Sequence, residues 1–273
     1  QVTVRANLNF AARADRIPPQ LIGITRVNVR PRIDYRVSPL AGTEDVRSAY
    51  KMRRVLANIA GNDKGQFVFR ASLDGLSTCV VLYEPTGFRC IASAGEPRPL
   101  GGNIITPFGQ PAINNRGDVL FAASGVGLML VTPGGTTYPI QDGAYFGDYV
   151  LAGNFTVAKK SLNDYGDIVF AFNYRRTSDN VTLRALARLF EGEPEFVWSS
   201  DQPLPGLTGA TVPNLEDWGI DKNGNVYFQA ATNAGRALFR AERSQPLRRL
   251  VGQGDANEGS TINQISGLQV AED

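Results

Sequence analysis

Glycoside hydrolysis has the strictest residue requirement of the chemistries this chain could host. It needs two carboxylates at opposed positions a defined distance apart. The positions able to carry them lie four residues ahead of a repeated turn, in strand-like runs: Asn58, Gln110, Lys159, Asp217 and Gly267. Moving the facing by one or two residues adds Lys160, Glu216 and Gln269. Acids come from one run alone, Glu216-Asp217, so a hydrolase is disfavoured. What remains is a set of channel-facing binding candidates, Asn58, Gln110, Lys160, Asp217 and Gln269. The chain of 273 residues contains no histidine, which excludes Ser–His–Asp and Cys–His catalysis and every metal site built on imidazole. Asp118, Asp167 and Asn225 recur at turns, but no later bidentate glutamate follows as a calcium loop needs, and turn stabilisation is the expected role. No phosphate-cradling loop with a trailing Lys-Ser or Lys-Thr occurs. The sequence therefore predicts neither metal nor cofactor.

Those positions are defined by a repeat. Four segments share one pattern: Asn62-Asp-Lys-Gly65-Gln-Phe-Val-Phe69, Asn114-Asn-Arg-Gly117-Asp-Val-Leu-Phe121, Asn163-Asp-Tyr-Gly166-Asp-Ile-Val-Phe170 and Asp221-Lys-Asn-Gly224-Asn-Val-Tyr-Phe228. Asn or Asp opens a tight turn through its side-chain oxygen, Gly supplies the positive φ, and an apolar strand follows. Two more strand-like runs trail each motif and one precedes it, with Pro-Gly-type turns between them. Four strands per roughly 50 residues, repeated, describe a β-propeller blade. The expected blades span 55–93, 108–140, 157–199 and 215–251.

The two ends belong to one further unit. Gln1-Val-Thr-Val-Arg-Ala-Asn-Leu8 resembles Gln66-Phe-Val-Phe-Arg-Ala-Ser-Leu73, and Gly267–Asp273 aligns with Asp217–Asn223, the strand leading into the turn. The expected fold is thus an all-β, five-bladed β-propeller in a single domain over residues 1–273. Its seam blade takes residues 1–37 from one terminus and 262–273 from the other. Pairing both ends removes an open sheet edge; pairing the last strand with another molecule would instead build a head-to-tail polymer.

Asn-x-x-Gly-x-x-x-Phe, with junctions such as Gly95-Glu96-Pro97, resembles the tandem NxxGxxxF repeat family of exported bacterial proteins. The resemblance covers most of residues 55–273, more weakly 1–37, and poorly 38–54. It implies a propeller-like fold and a secreted or cell-surface location, and no settled activity. Asp221 and Ala271 stand where the motif has Asn.

Cys79 and Cys90 flank a hairpin turning at Glu84-Pro-Thr-Gly87. With Tyr83 opposite Phe88, Cys90 faces Val81 and Cys79 faces Ala92, so the cysteines are diagonal neighbours that a bulge could join. A disulfide and a pair of small buried hydrophobes are both open readings. Trp198 and Trp218 are expected in the core.

The net charge of +2 conceals a division. Residues 1–54 carry 11 basic against four acidic side chains, and the remainder 17 against 22. The basic segment, with Arg26, Arg30, Arg32, Arg36, Arg47, Lys51, Arg53 and Arg54, suits docking onto an acidic protein surface, including that of a second copy. Nucleic acid fits less well, since no reading motif accompanies these residues. No apolar run reaches the roughly 18 residues of a membrane helix, so no membrane span is expected. The function expected is a non-enzymatic interaction or assembly module, with a homo-oligomer, a filament or another protein as partner. A lectin-like carbohydrate-binding propeller is the alternative.

Overall fold

The structure is a computed structural model that describes residues 4–10, 52–97, 104–207, 214–233, 235–257 and 260–270. Every element in it is a β-strand. The chain opens with β1 (Val4–Phe10). The first blade is β2 (Met52–Gly61), β3 (Phe67–Leu73), β4 (Leu76–Glu84) and β5 (Gly87–Ser93), antiparallel and in sequence order. The second is β6 (Ile105–Phe108) and β7 (Ala112–Ile113), both on β8 (Val119–Ser124), followed by β9 (Gly127–Thr132) and β10 (Gly135–Gln141). The third is β11 (Tyr145–Phe146), β12 (Tyr149–Leu151), β13 (Ile168–Arg176), β14 (Thr182–Phe190) and β15 (Glu193–Ser199). The fourth is β16 (Asn214–Ile220), β17 (Val226–Thr232), β18 (Gly235–Ala241) and β19 (Arg248–Gly252). A further three-stranded sheet joins β1 to β21 (Ser260–Val270), with β20 (Ala256–Asn257) on its other side. Four of the sheets stand in a propeller-like ring. The hairpin of β11 and β12 was not expected, because Tyr145–Leu151 carries no repeat signal.

The core is a set of slots between blades. Phe121, Val119 and Met129 of the second blade meet Val68, Val80 and Leu82 of the first. Phe170, Ala185 and Leu189 of the third meet Leu120, Ala122 and Leu128 of the second. Phe228, Ala237 and Phe239 of the fourth meet Val169, Leu186 and Trp198 of the third. The second and third blades are covered on both faces, so their second strands read as nearly continuous apolar runs instead of alternating ones. The motif phenylalanines Phe121, Phe170 and Phe228 each pack against the preceding blade. In the first blade the motif residue is Phe69, clustered with Leu73, Val81, Tyr83 and Phe88.

The sheet of β1 and β21 packs against the fourth blade through β16. The pairing is antiparallel from Val4↔Val270 to Phe10↔Ile262, with a bulge at Gly267 (φ 70°). The seam pairing of the two termini is therefore present for these strands, while the remaining expected seam residues lie outside the described ones. Close approach at the ring centre depends on Gly219. A Cβ there would stand 2.9 Å from Lys160 Cβ and from Val270 Cγ2. Lys160 O also accepts the Ile220 N–H at 2.9 Å, a parallel bridge between neighbouring blades. Gly219→Val overpacks this junction and should lower unfolding free energy by about 1–3 kcal/mol. Denaturant titration at constant m-value would measure it, and an unchanged midpoint would show that the innermost strands can part freely.

Candidate functional site

The innermost strands were expected to present one side chain each at equivalent height. Instead, each is bulged or interrupted at that height. The register slips between Leu56 and Ala60 in β2, between Leu215 and Asp217 in β16, and between Ser266 and Leu268 in β21. The second blade breaks between Phe108 and Ala112, and the third between the bridges at Thr156 and Leu162. A bulge adds a residue and reverses the alternation beyond it. Facing therefore cannot be counted back from the turn.

Asn58 lies in the bulge of β2, Gln110 in the gap between β6 and β7, and Gln269 opposite Arg5 in β21. The side chains of Asn58 and Gln269 lie outside the described ones. Lys160 is exposed. Asp217 and Glu216 both serve as structural acceptors. Asp217 Oδ1 accepts the Trp218 N–H at 3.0 Å, and the carboxylate also takes the Leu268 N–H of the neighbouring sheet. Glu216 takes the Arg236 Nε–H at 2.9 Å and a hydrogen bond from Gln229.

Burial raises the Asp217 carboxyl above the ordinary aspartate range; the two N–H groups and the Lys159 charge oppose that shift only in part. A carboxyl raised on folding stabilises the native state below the unfolded value, and that contribution is lost as pH rises through the folded one. Asp217→Asn keeps the acceptor oxygen and removes the charge. It should leave stability near pH ~3 unchanged and raise it at neutral pH. Stability curves across that range check the prediction, and a variant weaker than wild type at pH ~7 would contradict it.

The repeat turns carry a second function that their spacing does not announce. Asn62, Asn114 and Asn163 each accept backbone N–H groups through Oδ1, from Lys64 and Gln66, from Arg116 and Asp118, and from Tyr165 and Asp167. Each also donates Nδ2–H to the next blade's first turn carbonyl: Asn62 to Asn114 at 2.9 Å, Asn114 to Asn163 at 2.9 Å, and Asn163 to Asp221 at 2.8 Å. The same amide donates within its own turn, to Asp118 Oδ2 at 3.0 Å and to Asp167 Oδ2 at 2.8 Å. In the fourth blade the roles are exchanged, with Asn225 Nδ2 donating to Asp221 Oδ2 at 2.9 Å. Asp221 forms the turn despite the departure from Asn, and Gly224 keeps its positive φ of 76°.

Arg188 of β14 joins the third and fourth blades. It is 1% exposed, grips Glu195 in a two-point pair at 2.8 Å, and donates to the Gly224 carbonyl at 2.9 Å. Trp198 and Trp218 are buried between the same blades, with Trp218 Nε1 donating to Ser161 Oγ at 3.0 Å.

Cys79 and Cys90 are free thiols. Cys90 faces Val81 as expected, but a bulge at Val80/Val81 places Cys79 opposite Ser93 instead of Ala92. A hydrogen bond between the two thiols holds Cys79 below its ordinary value and, together with burial, pushes Cys90 up. Of the basic segment, Arg53 and Arg54 are described and exposed on β2, Arg53 paired with Asp74. Arg26, Arg30, Arg32, Arg36, Arg47 and Lys51 lie outside the described residues.

A cavity of about 440 Å³ between the second and third blades escaped the sequence reading. Its walls include Gly109, Gly125, Asp142, Asn154, Thr156 and Arg184. The available signal was Gly153-Asn154, a turn-like pair breaking a strand. No model of a known protein family matches the chain, and no curated protein is significantly similar to it. The NxxGxxxF resemblance rests on the motif itself.

Proposed function

We propose that the chain is an exported five-bladed propeller, a member of the NxxGxxxF group, that acts as an interaction or assembly module rather than as an enzyme. The observation that carries this reading is the employment of its polar repeat residues. Turn asparagines, Asp217 and Arg188 are committed to joining one sheet to the next, and Glu216 to tying strands within the fourth blade, which makes a rigid platform. Phe69 supports a fifth blade. Its counterparts Phe121, Phe170 and Phe228 each fill a slot against a preceding blade, and the first blade's equivalent position is where the sheet of β1 and β21 would close the ring.

The surface proposed for assembly is the basic segment from Arg26 to Arg54, meeting the acidic remainder of a second copy. Light scattering coupled to size exclusion tests it. The expected result is a mass above the 29.5 kDa of one chain at low ionic strength, falling toward it as salt screens the contact. Arg53→Glu with Arg54→Glu should weaken association. A mass fixed at one chain across concentration and salt would overturn self-assembly.

A further inference from the structure

The cavity between the second and third blades has an origin in the backbone. Strand β8 runs away from the Asn-rich turn at 114–117, so its far end at Ser124-Gly125 lies on the opposite face of the ring. The chain leaves β10 at Asp142 on that same face and enters the third blade there. The entry is not regular. Asn173 N–H bonds to Gly153 O at 3.0 Å and Thr156 N–H to Ala171 O at 2.7 Å, so Asn154 and Phe155 together oppose Phe172 alone. Asn154 takes a left-handed φ of 51°, which a non-glycine residue adopts at a cost. This bulge swings the strand outward and leaves space between the second and third blades.

Arg184 enters that space from β14. Its Nη2 donates to Thr156 Oγ1 at 3.1 Å and its Nη1 weakly to Asn173 Oδ1 at 3.5 Å, both neutral acceptors. The buried Arg188 and the half-buried Arg176, Arg236, Arg240 and Arg249 each hold a carboxylate. No carboxylate among the described residues lies within ion-pair distance of Arg184, although burial strips enough water from its guanidinium to lower its pKa. A desolvated, oriented cation with unused N–H groups, opening into a cavity, is arranged to receive an anion. Asp142 lines the same cavity, with its carboxylate against Gly153. Gly153 has a positive φ of 76°, and a Cβ there would stand in ordinary contact with that carboxylate, 3.4 Å from Oδ1.

We propose that this cavity binds a small organic carboxylate, with Arg184 taking the carboxylate group and Asp142 accepting hydrogen bonds from a donor elsewhere on the same molecule. The volume lies in the usual range for small-molecule sites, about 300–1,000 Å³. One guanidinium facing one carboxylate favours a singly charged ligand over a phosphate, whose second charge Asp142 would repel. The donor that Asp142 meets is a hydroxyl in a sugar acid or hydroxy acid, and an ammonium in an amino acid.

The experiment is an amide-resolved NMR titration of the full chain with glucuronate, lactate, alanine and glutamate, alongside glucose and inorganic phosphate. At least one carboxylate should shift the amides of Gly109, Gly125 and Gly153 in a saturable way, at least tenfold more tightly than glucose or phosphate. Binding by the hydroxylated acids identifies the first source, and binding by the amino acids the second. Arg184→Gln should weaken the bound carboxylate tenfold or more, and Asp142→Asn should weaken an ammonium-bearing ligand most. The proposal is overturned by no shift at about 10 mM of any carboxylate. Equal binding of glucose or tighter binding of phosphate would also overturn it, as would a folded Arg184→Gln protein with unchanged affinity. Because the wild-type shift map locates the site, a variant that fails to fold does not rescue it.

Discussion

Truncating Glu195 to alanine lowers the free energy of unfolding by about 3 kcal/mol, although Glu195 is itself nearly half exposed. The reason is its partner. Arg188 is 1% exposed, and its Nε and Nη2, along one guanidinium edge, each donate to Glu195 at 2.8 Å. Removing the acid leaves a buried guanidinium with only carbonyl acceptors, at Gly224, Ala241 and Glu242. An uncompensated buried charge costs far more than a lost surface pair, which is worth about 0–1 kcal/mol. Adding Arg188→Met to the same protein removes the stranded charge and should recover part of the loss, leaving the cost of three carbonyls short of a donor. Urea unfolding of the two single variants and the double variant reads this as a cycle. A Glu195→Ala penalty at or below about 1 kcal/mol would mean that water already solvates Arg188.

Asn163→Asp is the second large loss, again about 3 kcal/mol. The substitution is nearly isosteric, but it removes the Nδ2–H donor that reaches Asp221 O and Asp167 Oδ2. It also sets two carboxylates together at a site where Asn163 is 0% and Asp167 6% exposed. The fourth blade already holds the cure, since Asp221 is followed at the matching position by Asn225. Asn163→Asp combined with Asp167→Asn should therefore recover most of the stability. A deficit of about 1 kcal/mol should remain for the lost bond between blades. If the swap recovers nothing, the within-turn pair contributes nothing; if it recovers everything, the bond between blades contributes nothing.

The exchange between Asn163/Asp167 and Asp221/Asn225 was present in the sequence as two substitutions at offset four, but only contacts give it meaning. A turn needs an oxygen at its first position and a positive φ at its fourth, so either Asn or Asp reads alike. Which residue also donates an N–H across the slot depends on how close the next turn stands. The same holds for the channel-facing candidates. Counting back from the turn places Asn58, Asp217 and Gln269 on innermost strands and Gln110 in a gap between two, and it carries no information on orientation because each of those strands is bulged or broken along the way. Arg188 and Arg184 lie four residues apart on one strand, and nothing local separates them. One is satisfied by a glutamate across its hairpin and the other opens on a cavity, because the two ends of β14 lie on opposite faces of the ring.

Local rules settled the blades. Positive-φ glycines, Asx turns and apolar runs ending in phenylalanine act within about ten residues, so β3, β8, β13 and β17 and the turns before them follow from the chain alone. The likeness of the two termini was legible for the same reason, and β1 pairs with β21. Tertiary structure decided what the polar groups do once blades are stacked. It decided which carboxylates are consumed as acceptors, where the innermost strands bulge, and where a slot stays open with an arginine in it. Such outcomes depend on distances between segments about 50 residues apart, and the turn and strand rules that shape each blade carry no information about its neighbour.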